Sequence, residues 1–354
     1  MRVICISIVP SPYQRDLFLA LSSVVDLKVF YLEAESPDSP WPKKPLESYE
    51  TILPGFYLSL RGMRFLINWK LPELKDADFV ILNGYMSIVF QWLLRFKSKS
   101  SRFIFWGEPL SDQPSGMKGN AHKWLSSVLK NCVAIVGIGT RAQTKYRTRF
   151  TGIPVFNIPY CCSVESFHNL PLRKNNQQLN LLFCGQMIYR KGLDILLKAF
   201  ELLTPQGDVA LHLVGREAEL NEMMLILSPE SRRKVIYHGF QSPEKLPEFF
   251  DKADVFILPS RYDGWGVVVN QALGAGLPII CSDQVGAGLD LVEEGKNGYL
   301  FRSGNVEELY SKIKYFLDCP DLIASMSACA REKSAEITPE KGSEMWLKVL
   351  NQVK

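Results

Sequence analysis

The pattern that most constrains this chain is an alternation that occurs twice. Short runs, apolar at nearly every position, are separated by stretches whose apolar residues fall at helical spacing. A strand without polar alternation must be covered on both faces, and helices between such strands supply that cover, so the pattern specifies a parallel sheet in an α/β unit. In the first half, Val3–Val9, Asp26–Leu32, Phe79–Leu82, Phe103–Trp106 and Ala134–Ile138 read as strands. Gln14–Val24, with Leu17, Phe18 and Leu21 on one face, reads as a helix, as do Ser87–Phe96 and Ala121–Lys130. The Pro-rich stretch Ser36–Pro54 reads as a surface loop.

The polar run Arg173–Asn180 separates the halves and is the linker candidate. After it the rhythm restarts, with strands at Leu181–Cys184, Ala210–Val214, Val235–Tyr237, Val255–Leu258, Pro278–Cys281 and Gly298–Leu300. Leu193–Leu203, Glu217–Leu227, Pro243–Asp251 and Val267–Gly274 read as the helices between them, and Val306–Lys354 as a helical tail broken by Pro320 and Pro339. The expected domains are 1–172, 173–325 and a set of C-terminal helices, 326–354, crossing back to the first. Two doubly wound domains facing each other imply a cleft, and open α/β sheets bind ligands beyond the carboxyl ends of their strands.

Composition narrows the class. Hydrophobic residues make up 47% and charged residues 22% of 354, which excludes disorder and collagen-like repeats. Eight cysteines, four of them (Cys5, Cys132, Cys184 and Cys281) inside apolar runs, fit buried small hydrophobes rather than a disulfide framework, and the adjacent pair Cys161 and Cys162 suits neither zinc nor redox spacing. The reading is therefore a reducing, cytoplasmic setting. Met1–Val9 is too short for a signal peptide, and no run of apolar residues is long enough to span a membrane. The overall charge of +4 is unevenly placed: residues 1–170 hold 20 basic and 13 acidic side chains, +7, whereas the rest sums to −3. A basic first half fits an anionic partner, a phosphate-bearing substrate or the inner face of a membrane, and equally a solvated surface. Arg141–Phe150 carries Arg141, Lys145, Arg147 and Arg149 with Tyr146 and Phe150 interleaved, which reads either as a membrane-facing helix or as a solvated one. No nucleic-acid-binding module is recognisable.

Two motifs carry chemistry. Gly185, Gln186, Arg190, Lys191 and Gly192 follow a strand and open a helix, which places two cations where a phosphate would meet a helix start. An ordinary basic loop with a glycine cap has the same pattern. The second is Asp263, Gly264, Trp265 and Gly266 after the strand Val255–Leu258, with Gln271 eight residues beyond Asp263, about two helical turns. Backbone N–H groups at Gly264, Trp265 and Gly266 suit an anion, Asp263 suits sugar hydroxyls, and glycines on both sides of an exposed Trp are not what a simple acidic cap requires. Asp76 and Asp78 form a D-x-D string of the kind that binds divalent metal, but they precede the strand Phe79–Leu82, at the end away from ligand sites. The four His residues lack metal-ligand spacing.

These elements resemble, in order and spacing, the nucleotide-sugar domain of family 4 glycosyltransferases, retaining enzymes of GT-B fold. The resemblance is carried by Gly185, Arg190, Lys191 and Gly192, then Gly239, Phe240, Ala253, Asp254, Leu258, Pro259 and Ser260, then Gly264 to Gly266, Ala272, Leu273, Gly276 to Pro278 and Gly298 to Leu300. In the first half it rests on the opening loop, Pro10 to Phe18, with Tyr13 and Arg15. It implies that Arg190 and Lys191 hold the donor diphosphate, that Asp263 stands for the first Glu of the family's E-x7-E motif and contacts the donor sugar, and that Gln271 stands for the second and bonds the ribose. Gly185, Gln186 and Gly264 to Gly266 then line the donor. Asp keeps the charge of Glu, whereas Gln loses a charge-assisted hydrogen bond worth about 1 kcal/mol. Gln186 replaces an Arg found in many members. On the acceptor side many members have a His near the end of a central strand. Glu108 follows the corresponding strand here and is the candidate for acceptor activation, with His122 as a second and Tyr13, Arg15, Asn83 and Tyr85 as further acceptor-side residues.

The expectation is a retaining glycosyltransferase that uses no metal or other cofactor and moves a sugar from a UDP- or GDP-sugar to a hydroxyl of a glycan or lipid-linked acceptor in cell-surface polysaccharide synthesis. A nucleotide-sugar 2-epimerase on the same fold and a non-catalytic sugar-nucleotide-binding protein are the alternatives.

Overall fold

The structure is a computed structural model that describes residues 1–35, 44–60, 63–110, 116–172 and 178–354. The chain forms two compact units, Met1–Cys162 with Pro339–Lys354, and Ser163–Thr338. The expected boundaries shift accordingly: residues 163–172 and 326–338 lie with the second unit. Parts of the expected loop, 36–43, and of the expected linker, 173–177, fall outside the described residues.

The first unit is built on β1 (Arg2–Ser7), α1 (Pro12–Ser22), β2 (Asp26–Tyr31), β3 (Glu50–Ile52), the antiparallel hairpin β4 (Gly55–Leu60) and β5 (Met63–Asn68), β6 (Phe79–Leu82), α2 (Ile88–Phe96), β7 (Phe103–Gly107), α3 (Met117–Ser126), β8 (Ala134–Gly137), α4 (Thr140–Arg149) and β9 (Val155–Asn157). Its sheet is parallel in the order β3-β2-β1-β6-β7-β8-β9. β6, β7 and β8 are buried at every position, as their unbroken apolar sequences require. α1 starts with Pro12 in its first turn, where the missing N–H costs nothing, and the Ser87 side chain accepts the Phe90 N–H to cap α2. The hairpin, β3 and β9 had no distinct signal in the sequence. α4 turns Tyr146 and Phe150 into the core, so the interleaved basic–aromatic face expected of residues 141–150 does not form.

The second unit contains α5 (Glu165–His168), β10 (Leu179–Cys184), α6 (Leu193–Leu203), β11 (Val209–Val214), α7 (Leu220–Met223), α8 (Pro229–Arg233), β12 (Val235–Tyr237), α9 (Leu246–Asp251), β13 (Val255–Leu258), α10 (Val268–Gly274), β14 (Ile279–Ser282), α11 (Gly286–Leu291), β15 (Gly298–Phe301), α12 (Val306–Asp318) and α13 (Asp321–Ser334). Its parallel sheet runs β12-β11-β10-β13-β14-β15. The helix expected over 217–227 is only the single turn α7 followed by a 3-10 turn.

Of the tail, only α14 (Pro339–Gln352) returns to the first unit, where it packs on α1. Gly342 makes that packing possible: a Cβ there would come within 2.7 Å of Leu17 and 2.6 Å of Cys161. Trp346 meets Trp106 edge to face at 5.6 Å. All eight cysteines are free thiols, and Cys161 and Cys162 are buried. Among the described residues no helix is long and apolar enough to cross a membrane.

His212 on β11 and His238 after β12 lie with parallel rings, Nδ1 to Nε2 2.9 Å apart. Burial, then the charges of the partner His and Lys252, hold the pKa of His212 below the ordinary histidine value, and burial with Lys252 does the same for His238. A depressed histidine pKa contributes stability that is complete above the ordinary value and is lost as pH falls through the folded one. The melting temperature is therefore expected to fall between pH 7 and pH 5, and His212→Gln should flatten that slope in a series of thermal melts.

Candidate active site

Ligands gather where neighbouring parallel strands feed crossovers in opposite directions, because the loops there diverge and leave a crevice. In the second unit β10 leads to β11 on one side, while its other neighbour is β13. The crevice therefore opens beyond Cys184 and Leu258, and both chemistry-bearing loops spring from those two ends.

The first loop is drawn onto the second by backbone contact. Gly192 adopts φ +70°, and a Cβ there would stand 2.0 Å from the Pro259 carbonyl oxygen. Only glycine reconciles that φ with that approach. The Arg261 N–H donates to the Arg190 carbonyl at 2.8 Å. The Arg261 guanidinium then grips the loop from above: Nη1 and Nη2 bond the Asp194 carboxylate at 2.6 and 2.7 Å, Nη1 also donates to the Tyr189 carbonyl at 2.8 Å, and the group lies 3.7 Å over the Tyr189 ring. Burial pushes the Asp194 carboxyl up, but its hydrogen bonds and charge contact with Arg261 outweigh that and hold it below the usual carboxylate range. Sequence reasoning missed Arg261 and Asp194. Their only signal is a cation and an anion that flank the two motifs, 67 residues apart.

The clamp presents Arg190 and Lys191 to the second loop. Lys191 Nζ meets Asp263 Oδ2 at 2.5 Å, and Arg190 Nη1 donates to the Tyr262 carbonyl at 2.9 Å. Three of the residues assigned to catalysis are thus brought together. Asp263 does not cap the following helix; it is held by Lys191 and by main-chain bonds to Gln284 and Gly286. Gly264 and Gly266 follow it, and their N–H groups take no partner among the described residues. Gln271, on α10, is 6% exposed, and its side-chain amide likewise makes no hydrogen bond among the described residues. Gly185 ends β10 against Gly215, where a Cβ on Gly215 would lie 1.9 Å from the Gly185 carbonyl, and Gln186 is exposed beyond it.

Trp265 corrects the sequence reading. It is 1% exposed, not an exposed ring between glycines, and its Nε1 donates to Asn270 Oδ1 at 2.9 Å. Its ring is part of the packed interior of the second unit.

The acceptor-side candidates all lie in the first unit. Glu108 is exposed just past β7, and its carbonyl accepts the Tyr146 hydroxyl at 2.6 Å. Tyr85 Oη and His122 Nε2 are 2.8 Å apart, and burial together with the charge of Arg149 lowers the His122 pKa. Asn83 is engaged internally: its oxygen accepts Gln14 Nε2 at 2.8 Å and its nitrogen donates to the Trp106 carbonyl at 3.1 Å. Arg15 is likewise committed, bonding the buried Glu50 carboxylate through Nε and Nη2 at 2.9 and 2.6 Å, while Tyr31 donates to the same carboxylate at 2.6 Å. Both Asn83 and Arg15 are thus held by hydrogen bonds within the first unit. Tyr13 is half-buried in α1, and the opening loop borders a cavity of about 530 Å³ reaching from Pro10 and Pro12 to Tyr49. Asp76 and Asp78 are tied to Arg2 at the amino end of β6.

Residues 167–333 match the family model described as glycosyl transferases group 1. The second half of the chain is thus similar to group 1 glycosyl transferases. An uncharacterised glycosyltransferase of Haemophilus influenzae is 26% identical over 223 residues, 62% of this chain and 61% of that protein. The poly(ribitol-phosphate) alpha-N-acetylglucosaminyltransferase of Staphylococcus aureus is 23% identical over 228 residues, 63% of this chain and 45% of that one. The matches thus span less than two thirds of these relatives. The crystal structure of HepE from Anabaena in complex with UDP superposes with a TM-score of 0.75 at 14% identity, covering 99% of this chain and 100% of that one. The fold is GT-B, and the second unit carries the Lys191–Asp263 pair at its switch point.

Arg261→Ala and Asp194→Ala are each expected to lower the unfolding free energy by about 1–2 kcal/mol, the range of a partly exposed bidentate ion pair. The double variant should lose little more than either single one in urea melts. Because the Asp194 pKa is depressed, the contribution is complete above the ordinary carboxylate range and fades as acid protonates it.

Proposed function

We infer that the protein is a retaining glycosyltransferase that moves a sugar from a UDP- or GDP-sugar to a hydroxyl of a glycan or lipid-linked acceptor, in the synthesis of cell-surface polysaccharide. The observation that carries this is the Lys191–Asp263 pair at the switch point, with Arg190 beside it and the open amide of Gln271 on the following helix.

In this reading the donor diphosphate lies against Lys191 and Arg190, and the sugar lies against Asp263 and the Gly264–Gly266 backbone. Gln271 bonds the ribose. Asp263 keeps the Lys191 ammonium oriented before donor arrives, so little reorganisation is needed when the leaving group gains charge. As the bond from the anomeric carbon to phosphate oxygen breaks, the acceptor oxygen adds on the same face, and its proton passes to the departing phosphate. The negative charge that accumulates is carried by the two cations and by N–H groups, so the reading assigns no step to a metal. The first unit binds the acceptor, with Glu108 positioning its hydroxyl. The relatives named above are both described as glycosyltransferases, one of them of a poly(ribitol-phosphate), which supports a polymer acceptor.

Lys191→Ala should weaken donor binding in calorimetry and reduce kcat/KM by roughly 10²-fold or more, the scale of losing one preorganised charge at a developing anion. Unchanged kinetics would overturn the assignment. Gln271→Glu restores a charge-assisted bond to ribose worth about 1 kcal/mol and should tighten nucleotide binding roughly fivefold. Product analysis completes the test: an epimerised sugar nucleotide formed without acceptor would replace transfer by epimerisation.

A further inference from the structure

Helix α2 in the first unit is apolar on both faces. Val89, Phe90, Leu93 and Leu94 are buried against the sheet, as a core-facing stripe should be. The opposite face carries Ile88, Trp92 and Phe96, four residues apart in turn, with 51%, 41% and 67% of their surface exposed. Trp124 on α3 adds a ring that is 62% exposed, and α3 is fastened to α2 where Gln91 Nε2 donates to the Leu125 carbonyl at 2.9 Å. The result is one strip of large apolar side chains on two adjoining helices, with β5 packed along the other flank of α2. A surface helix that shows three bulky apolar residues to water has an apolar partner.

The charges around the strip identify that partner. Residues 84–104 and 116–131 contain seven Lys and Arg and not one Asp or Glu. The cations sit on the aromatic rings themselves: the Arg95 guanidinium lies 4.2 Å over Trp124, and Lys97 Nζ lies 5.3 Å over Trp92. Indole rings with cationic neighbours match the boundary between lipid headgroups and acyl chains, where the ring lies at headgroup level and the cation reaches a lipid phosphate. A second copy of the chain fits poorly, because a self-complementary contact would bring two acid-free cationic surfaces together. We propose that the exposed face of α2, with Trp124 of α3, docks the protein onto an anionic lipid bilayer. This surface replaces the 141–150 helix as the membrane-facing element, and it does not depend on the transferase assignment.

Sedimentation of the full chain with vesicles of phosphatidylcholine, with and without phosphatidylglycerol, tests this directly. Binding is expected only to the phosphatidylglycerol vesicles, weakening with added salt, with tryptophan fluorescence quenched by lipids brominated on their acyl chains. Lys97→Glu with Lys99→Glu, both at exposed positions, should weaken binding at least about tenfold, on the scale of removing and reversing two surface charges at an anionic membrane. Trp92→Ser with Phe96→Ser should do the same with unchanged melting temperature, while Arg147→Glu on α4 should leave it intact. No binding to phosphatidylglycerol vesicles, or equal binding by the Lys97→Glu/Lys99→Glu variant, overturns the proposal. So does a dimer in analytical ultracentrifugation that Trp92→Ser/Phe96→Ser dissociates, since that would assign the face to a second copy.

Discussion

The approach of Gly192 to the Pro259 carbonyl is the contact from which the geometry of the second unit's site follows. With the main chains this close, the loop after β10 and the loop after β13 are one structure rather than two, and the side chains they carry face the same crevice. A residue with a Cβ at 192 would separate the loops and with them Lys191 and Asp263. The Gly185–Gly215 contact repeats the device one strand over, where β10 and β11 end. Backbone packing thus sets the positions at which charge is later useful.

On that base the charges divide into those that hold and those that are left over. Arg261 holds, with its fork on Asp194 and its plane on Tyr189. Arg190 donates to a single carbonyl, and Lys191 is paired with one carboxylate oxygen of Asp263. The first unit shows the same economy in a structural role. Glu50 is buried, yet Arg15, Tyr31 and the Glu47 N–H satisfy its carboxylate, so the charge stays paired at the edge where β3 joins the sheet.

Much of this was legible in sequence because the physics involved is local. The unbroken apolar runs located β6, β12 and β13 to the residue, and the spacing of Leu193–Leu203 located α6. Glycines beside basic and acidic residues marked both loops. What was not legible depended on partners distant in sequence. Arg15 is joined to Glu50, 35 residues away, and Trp265 looked exposed because the glycines around it are small, although Asn270 receives its indole N–H inside the core. The hairpin β4–β5 carries apolar residues on exposed positions, so the strand pattern that burial writes elsewhere is absent from it.

The sequence by itself determined two doubly wound α/β units, the loops that carry chemistry and the identity of the charged residues in them, because strand burial and helical amphipathicity are written at periods of a few residues. The tertiary structure alone decided which charged groups pair with one another across the loops. It also decided that Tyr146 and Phe150 turn inward while α2 turns Ile88, Trp92 and Phe96 outward. Those outcomes depend on which surfaces meet across dozens of residues, and no short-range pattern encodes that.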